Sequence, residues 1–298
     1  MSADRLPEFP AVAGDLRLGI DQPSGSWPTA PRLKSYEAAG FAYVQVRMPP
    51  RIVLEDPAML ATHAVALRRV LELTGMRLVL HAPGDLMAGA RAADATLRGA
   101  LDYAAMARAE LIVYHGRRVP PGASGATTRL AAETRSLRRL LKRAAAAGVR
   151  IAIENLAPLY PGMDLVSHDP LAVYRLVQEL DSPFAGMCLD IGHANVVAGL
   201  RGLDVVELIA PVLDRVCLFH LHDNFGASTE RSGSLEPLRL DLHLAPGAGN
   251  VPWRRLAPLL AAHGAPLQLE VRAPSRPEPG TLAVMLRELL GRGILAGA

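Results

Sequence analysis

The feature that most constrains this chain is a regular alternation. Short runs rich in Val, Ile and Leu take turns, eight times, with longer Ala-, Leu- and Arg-rich segments of helical period. The apolar runs predict strands over 16–21, 42–48, 77–81, 111–115, 150–154, 186–190, 216–220 and 267–270. The periodic segments predict helices over 31–39, 57–74, 92–108, 127–147, 170–180, 204–213, 252–263 and 281–292. Gly40, Gly75, Gly148 and Gly264 follow helices, and Pro31, Pro57, Pro170 and Pro252 sit near helix starts. Each strand reads as a near-continuous apolar run, as a parallel strand covered on both faces should. Eight right-handed βα units close into a single α/β (β/α)8 TIM barrel. An open doubly wound sheet would need a glycine-rich first turn, and Asp21-Gln22-Pro23-Ser24-Gly25 lacks GxGxxG. Residues 1–14 are expected to be a flexible leader and 15–298 the barrel.

Strand C-terminal ends converge on one face of such a barrel, where catalytic residues gather. Here those ends carry ligand chemistry. His81, His115, Glu154, Asp190, His220 and Glu270 each close a predicted strand, and His193 follows Asp190 across Gly192. The long loop after the seventh strand, 225–251, adds Asp241 and His243. Carboxylates and imidazoles crowded together in this way are costly to hold without a cation. Mixed His and carboxylate donors suit zinc or manganese better than calcium.

The rest of the composition narrows the setting. Thirty-two Lys and Arg against 29 Asp and Glu give a net charge of +3, too modest to imply nucleic acid. Cys188 and Cys217 lie in apolar runs and are expected to be reduced and buried. The first ten residues lack an apolar signal core, and no run of about 18 apolar residues is present. A soluble cytoplasmic protein is the expectation. The arginine-rich helix 129–143, interrupted by Glu133, reads as a solvated face. His63, His168 and His263 read as surface or helix-end residues, and Trp27 as packing or a cover for the pocket. Asp223 reads as a loop-orienting residue, and Trp253 as packing down the Gly-Ala-Gly loop before it.

The ordered motifs HAP, YHG, IENL, CLDIGHAN, FHLHDN, DLHLAPGAGNVPW and LEVR resemble those of the xylose isomerase-like TIM-barrel superfamily. That group includes sugar-phosphate isomerases and epimerases and the endonuclease IV type of AP endonuclease. The resemblance spans about residues 15–290 and implies a site of one to three divalent ions. It implies that Glu154, Asp190, His220 and Glu270 form the shared metal site. It further implies that His81 and His115 hold a second ion bridged by Glu154, and that His193, Asp241 and His243 hold a third.

The expected activity is metal-assisted isomerisation or epimerisation of a sugar-like hydroxy-ketone, with Glu154 and Glu270 exchanging the proton. An endonuclease IV-like phosphoesterase is the alternative, and a non-catalytic metal-binding barrel the second. Against the nuclease, the first strand leads into Asp21-Gln22-Pro23 where a histidine is usual, and Gly192 replaces a usual cysteine. Arg47, Arg117 and Arg272 flank the ligands and, with His222, are the expected substrate contacts; they suggest an anionic small molecule. Arg118 flanks the same ligands.

Overall fold

The eight apolar runs form eight parallel strands, and the barrel closes in chain order with β1 paired to β8. The computed structural model describes residues 16–158, 163–228, 240–272 and 276–295. The expected leader, 1–14, and the middle of the long loop, 229–239, lie outside the described residues. The strands are β1 (Leu18–Asp21), β2 (Tyr43–Arg47), β3 (Arg77–His81), β4 (Leu111–Tyr114), β5 (Arg150–Glu154), β6 (Ala185–Asp190), β7 (Val216–Leu221) and β8 (Leu267–Leu269). Among the described residues the helices are α1 (Ala30–Ala38), α2 (Arg51–Glu55), α3 (Pro57–Leu71), α4 (Arg91–Ala107), α5 (Ala126–Ala147), α6 (Pro170–Leu180), α7 (Ile191–Arg201), α8 (Val205–Ile209), α9 (Trp253–His263) and α10 (Pro279–Leu295).

Two layers of apolar side chains fix this arrangement. A main core lies between strands and helices, with Leu18, Leu67, Leu80, Phe219 and Leu286 fully or almost fully buried. A smaller cluster of Tyr43, Val79, Leu111, Val113, Ala152, Cys188, Cys217 and Leu218 fills the barrel interior. Both cysteines are free and buried there, as expected. Asp56, Asp169 and Asp204 cap α3, α6 and α8 through backbone N–H groups. Gly148 and Gly264 take left-handed conformations, φ 67° and 74°, at the ends of α5 and α9.

Two helices depart from the sequence expectation. α2 precedes α3, from which Asp56 separates it. α7 starts immediately after β6, and eight of its eleven residues, Ile191 to Ala198, are buried. A helix buried nearly all round carries little amphipathic period, which is why the alternation does not reveal it. No helix among the described residues is long and apolar enough to cross a membrane.

Candidate metal centre

Each candidate residue arrives at the site by its own local route. Glu154 and Asp190 are the last residues of β5 and β6; β5 pairs with β6, and β6 pairs with β7 so that Asp190 lies beside His220. Asp190 also caps α7, its Oδ1 accepting the His193 N–H at 2.7 Å. His193 therefore reaches the site from the first turn of a helix rather than from a strand tip. Asn155 binds Asp190 at both ends. Its amide donates to Asp190 O at 3.0 Å, and its Oδ1 accepts the Asp190 N–H at 2.8 Å.

The nine predicted ligands come together. Glu154, Asp190, His220 and Glu270 form one four-residue group, all buried, and His81, His115 and Glu154 form a second. His193, Asp241 and His243 lie in a third, which also contains His222. In the first group, His220 Nδ1 is 3.1 Å from Glu154 Oε1, 3.6 Å from Glu270 Oε1 and 3.8 Å from Asp190 Oδ2. In the second, the Nε2 atoms of His81 and His115 face each other at 3.2 Å, and Glu154 Oε2 lies 2.8 Å from His115. In the third, Asp241 Oδ2 is 3.1 Å from His243 Nε2 and 3.6 Å from His193 Nε2.

The donor set fits a divalent cation on two observations. First, His81, His193 and His243 each donate Nδ1–H to a backbone carbonyl, of Ala82, Asn155 and Glu270, at 2.8 Å. In the neutral rings those bonds leave Nε2 as a lone pair aimed into the cluster, as metal-binding imidazoles are oriented. Second, Asp190 Oδ2 is buried without a hydrogen-bond partner among the described residues. Buried carboxylate oxygens of that kind need a positive partner.

The electrostatics point the same way. Burial pulls the imidazoles down, but Asp190 and Asp241 hold His193 well above the usual His range. Glu270 and Glu154 raise His220 to about 9, and Asp241 raises His243 to about 9, each against the pull of burial. Burial pushes the carboxyls up, yet His220 and His115 hold Glu154 well below its usual range. His220 likewise lowers Glu270 to about 2 against burial. Without an ion, protons on the histidines supply the positive charge that the carboxylates demand.

A cavity of about 480 Å³ opens over the cluster, lined by His81, His115, Glu154, His193, Asp241, His243 and Glu270, with Asp21, Arg47, Arg272 and Arg276 among its other lining residues. Arg47 and Arg272 are thus where the sequence predicts. Arg117 is not. Its φ of 55° breaks the extended geometry that would place it beside His115. Its guanidinium instead approaches Glu133 at 3.9 Å and Glu179 at 3.7 Å. Arg118 does not line the cavity either and donates to Gly84 O.

Glu133, expected in a solvated face, is fully buried. It accepts Tyr114 Oη–H at 2.8 Å and Arg117 N–H at 2.9 Å. His168 is also buried, against Asp164 at 2.7 Å, and not on the surface. Trp27 packs edge-on against His63 in a separate apolar groove.

His222 does not line the cavity. It is fully buried, stacked 3.9 Å from His243, with Nε2 3.1 Å from Asp190 Oδ1 and 3.6 Å from Asp241 Oδ1. Gly192 is what makes room for it, since a Cβ there would fall on the His222 ring. Asp223, by contrast, does orient the loop. Its carboxylate accepts N–H groups from Asn224, Gly247, Val251 and Trp253 Nε1 at 2.7–3.1 Å.

Three further residues belong to the site. Gln45 contacts both His220, at 2.8 Å, and Glu270. Its signal is a polar residue at the centre of an apolar strand. Arg276 donates to Asp21 Oδ1 at 2.8 Å and to Asp21 O at 2.6 Å. Burial raises the Asp21 carboxyl to about 6, against the lowering pull of Arg276. The pair joins chain ends 255 positions apart, which no local pattern reveals.

Comparison with known proteins places this geometry in a family. The profile described as "Xylose isomerase-like TIM barrel" matches residues 33–289, and the chain belongs to that family. Among curated proteins it is 31% identical over 125 residues to "Uncharacterized protein y4fM" of Sinorhizobium fredii, a match covering 41% of this chain and 33% of that one. The chain therefore spans about a third of that relative. Among solved structures it superposes on a D-tagatose 3-epimerase-like protein with a TM-score of 0.70 and 21% identity, covering 95% of this chain and 100% of the other. On a D-allulose 3-epimerase from Methylomonas sp. the TM-score is 0.68 at 16% identity, covering 93% and 98%. Likeness at these identities is likeness of fold.

Proposed function

We propose that this barrel is a divalent-metal-dependent isomerase or epimerase acting on a sugar or sugar-phosphate-like hydroxy-ketone. The observation that carries it is the Glu154–Asp190–His220–Glu270 group, buried at the convergent strand ends beneath an open cavity. Neighbours of the same fold include sugar epimerases, which agrees with this chemistry without fixing it.

Zinc or manganese suits the mixed donors, with Glu154, Asp190, His220 and Glu270 as its holders. Such an ion, when bound, polarises a carbonyl and acidifies the neighbouring C–H. Glu154 and Glu270 approach from β5 and from the end of β8, so they reach a substrate from different parts of the rim. One, as an ionised carboxylate, would take the α-proton, and the other, carrying a proton for that step, would return one, so that the two exchange base and acid roles. Arg47 and Arg272, both on the cavity lining, contact an anionic substituent such as a phosphate or carboxylate. Asp21, Arg276 and Gln45 hold the surrounding groups in place.

A second reading rests on the two further clusters, His81–His115–Glu154 and His193–His222–Asp241–His243. If these also bind ions, up to three per chain, an endonuclease IV-like phosphoesterase becomes the competing function. One experiment separates the readings. Metal content of the purified, metal-supplemented chain is measured beside two assays, a panel of keto-sugars with and without phosphate and an abasic-site duplex. Turnover of a keto-sugar that depends on the bound ion supports the isomerase. Duplex cleavage with an inert sugar panel replaces it with the phosphoesterase, and absence of any bound ion removes both.

A further inference from the structure

We propose that Gln45 is a positioning residue of the metal centre, fixing which nitrogen of His220 faces Glu154 and Asp190 while holding the Glu270 carboxylate in register. This rests on the metal-centre reading above and adds to it a residue that touches neither ion nor substrate.

Gln45 sits in the middle of β2, between Val44 and Val46, and is 2% exposed. A polar amide in that setting is unfavourable unless both of its ends are bonded. Both are. One end meets His220 Nε2 at 2.8 Å, and the other meets Glu270 Oε1.

The chemistry of the partners then dictates the orientation. An ionised carboxylate only accepts, so the amide must present N–H to Glu270. Its carbonyl oxygen therefore faces His220, and His220 Nε2 must carry the hydrogen. In the neutral ring that an ion would meet, Nδ1 is left as the lone pair, and it is Nδ1 that lies 3.1 Å from Glu154, 3.6 Å from Glu270 and 3.8 Å from Asp190. One lone pair among three carboxylates is a ligand arrangement. His81, His193 and His243 have their tautomers set by backbone carbonyls, whereas His220 takes this from a side chain. The identity of residue 45 thus decides whether His220 and Glu270 are both oriented for an ion.

Two variants of the full chain test this. Gln45→Met keeps the length of the side chain, makes it apolar and removes both bonds. Gln45→Glu keeps an acceptor for His220 and sets a second carboxylate against Glu270 in place of the donor. Mn²⁺ or Zn²⁺ is titrated calorimetrically against a competing chelator, beside circular dichroism and a melt. Gln45→Met should weaken the site by about 10–100-fold, the usual effect of losing an outer partner of a metal ligand, with the fold retained. Gln45→Glu should also bind the ion more weakly than wild type although the His220 bond survives, because its carboxylate faces Glu270 and must repel it or share its proton.

The ¹⁵N imidazole signals of metal-loaded wild type supply a readout that needs no variant, and His220 should carry its hydrogen on Nε2. Wild-type affinity in Gln45→Met, or an Nδ1–H tautomer in the loaded wild type, overturns the role of Gln45 alone. A wild-type chain that takes up no ion overturns the metal-centre reading and this inference with it.

Discussion

Asp223→Asn offers a perturbation whose size follows from the geometry. The Asp223 carboxylate is fully buried and accepts four N–H groups. Oδ1 takes Asn224 and Val251, and Oδ2 takes Gly247 and the Trp253 indole. An amide in its place keeps one oxygen and turns an NH2 group on the other pair of donors. Whichever way it flips, two charge-assisted bonds are lost, each about 1.5–3 kcal/mol. The neutral amide recovers some cost of burying charge, so the lower end, about 3 kcal/mol, is the working figure.

That energy is lost from one segment, the loop returning from His243 to α9, and local opening is where it should show. About 3 kcal/mol corresponds to roughly a hundredfold in an opening equilibrium. Hydrogen exchange should therefore find the Gly247 and Val251 amides and the Trp253 indole about a hundredfold less protected in Asp223→Asn, with the barrel strands little changed. Protection within about threefold of wild type would refute the idea that this carboxylate clamps the loop.

Other expectations follow from the same geometry. His220 and His243 titrate at about 9 in the metal-free fold, against an ordinary 6.5. Their charged forms thus stabilise that fold fully below pH 6.5, and the contribution fades as pH climbs through about 9. An arriving ion must displace those protons, so metal affinity should strengthen from pH 6.5 to 9 and then level off; an affinity flat across that window would contradict the assignment. Arg47→Ala should raise KM for an anionic substrate about tenfold. Arg117→Ala should leave KM alone and lower the melting temperature, because its guanidinium faces Glu133 and Glu179; the reverse pattern would return Arg117 to the substrate. Gly192→Ala places a methyl on the buried His222 ring and should cost about 1–3 kcal/mol in a denaturant titration.

The sequence reveals what is periodic or what ends a strand. β3 and β5 are predicted to the residue, because continuous apolar runs bounded by charged residues leave little freedom. The ligands at strand ends are legible for the same reason, since a closed parallel barrel brings every strand end to one rim. What escapes depends on backbone angles or distant partners. Arg117 is misplaced because a single left-handed residue reverses its side chain. His222 shares the ladder face of His220 but stacks beneath His243, where the space at Gly192 admits it. Glu133 looks like one more charge on a basic helix, and only the Tyr114 hydroxyl and the Arg117 amide explain its burial. Gln45 is visible as an oddity in an apolar strand, but its partners stand 175 and 225 positions away.

The central claim, metal-assisted proton exchange on a hydroxy-ketone, is tested most directly by solvent deuterium. The metal-loaded chain is incubated in D2O with keto-sugars and their phosphates, and loss of the C–H signal beside the carbonyl is followed by proton NMR. Exchange is predicted for at least one member of the panel, abolished by chelation. It should fall by about 10²–10⁴-fold in Glu154→Gln and in Glu270→Gln, as removal of an acid–base group does. No exchange on any hydroxy-ketone by a chain carrying its full complement of metal would contradict it.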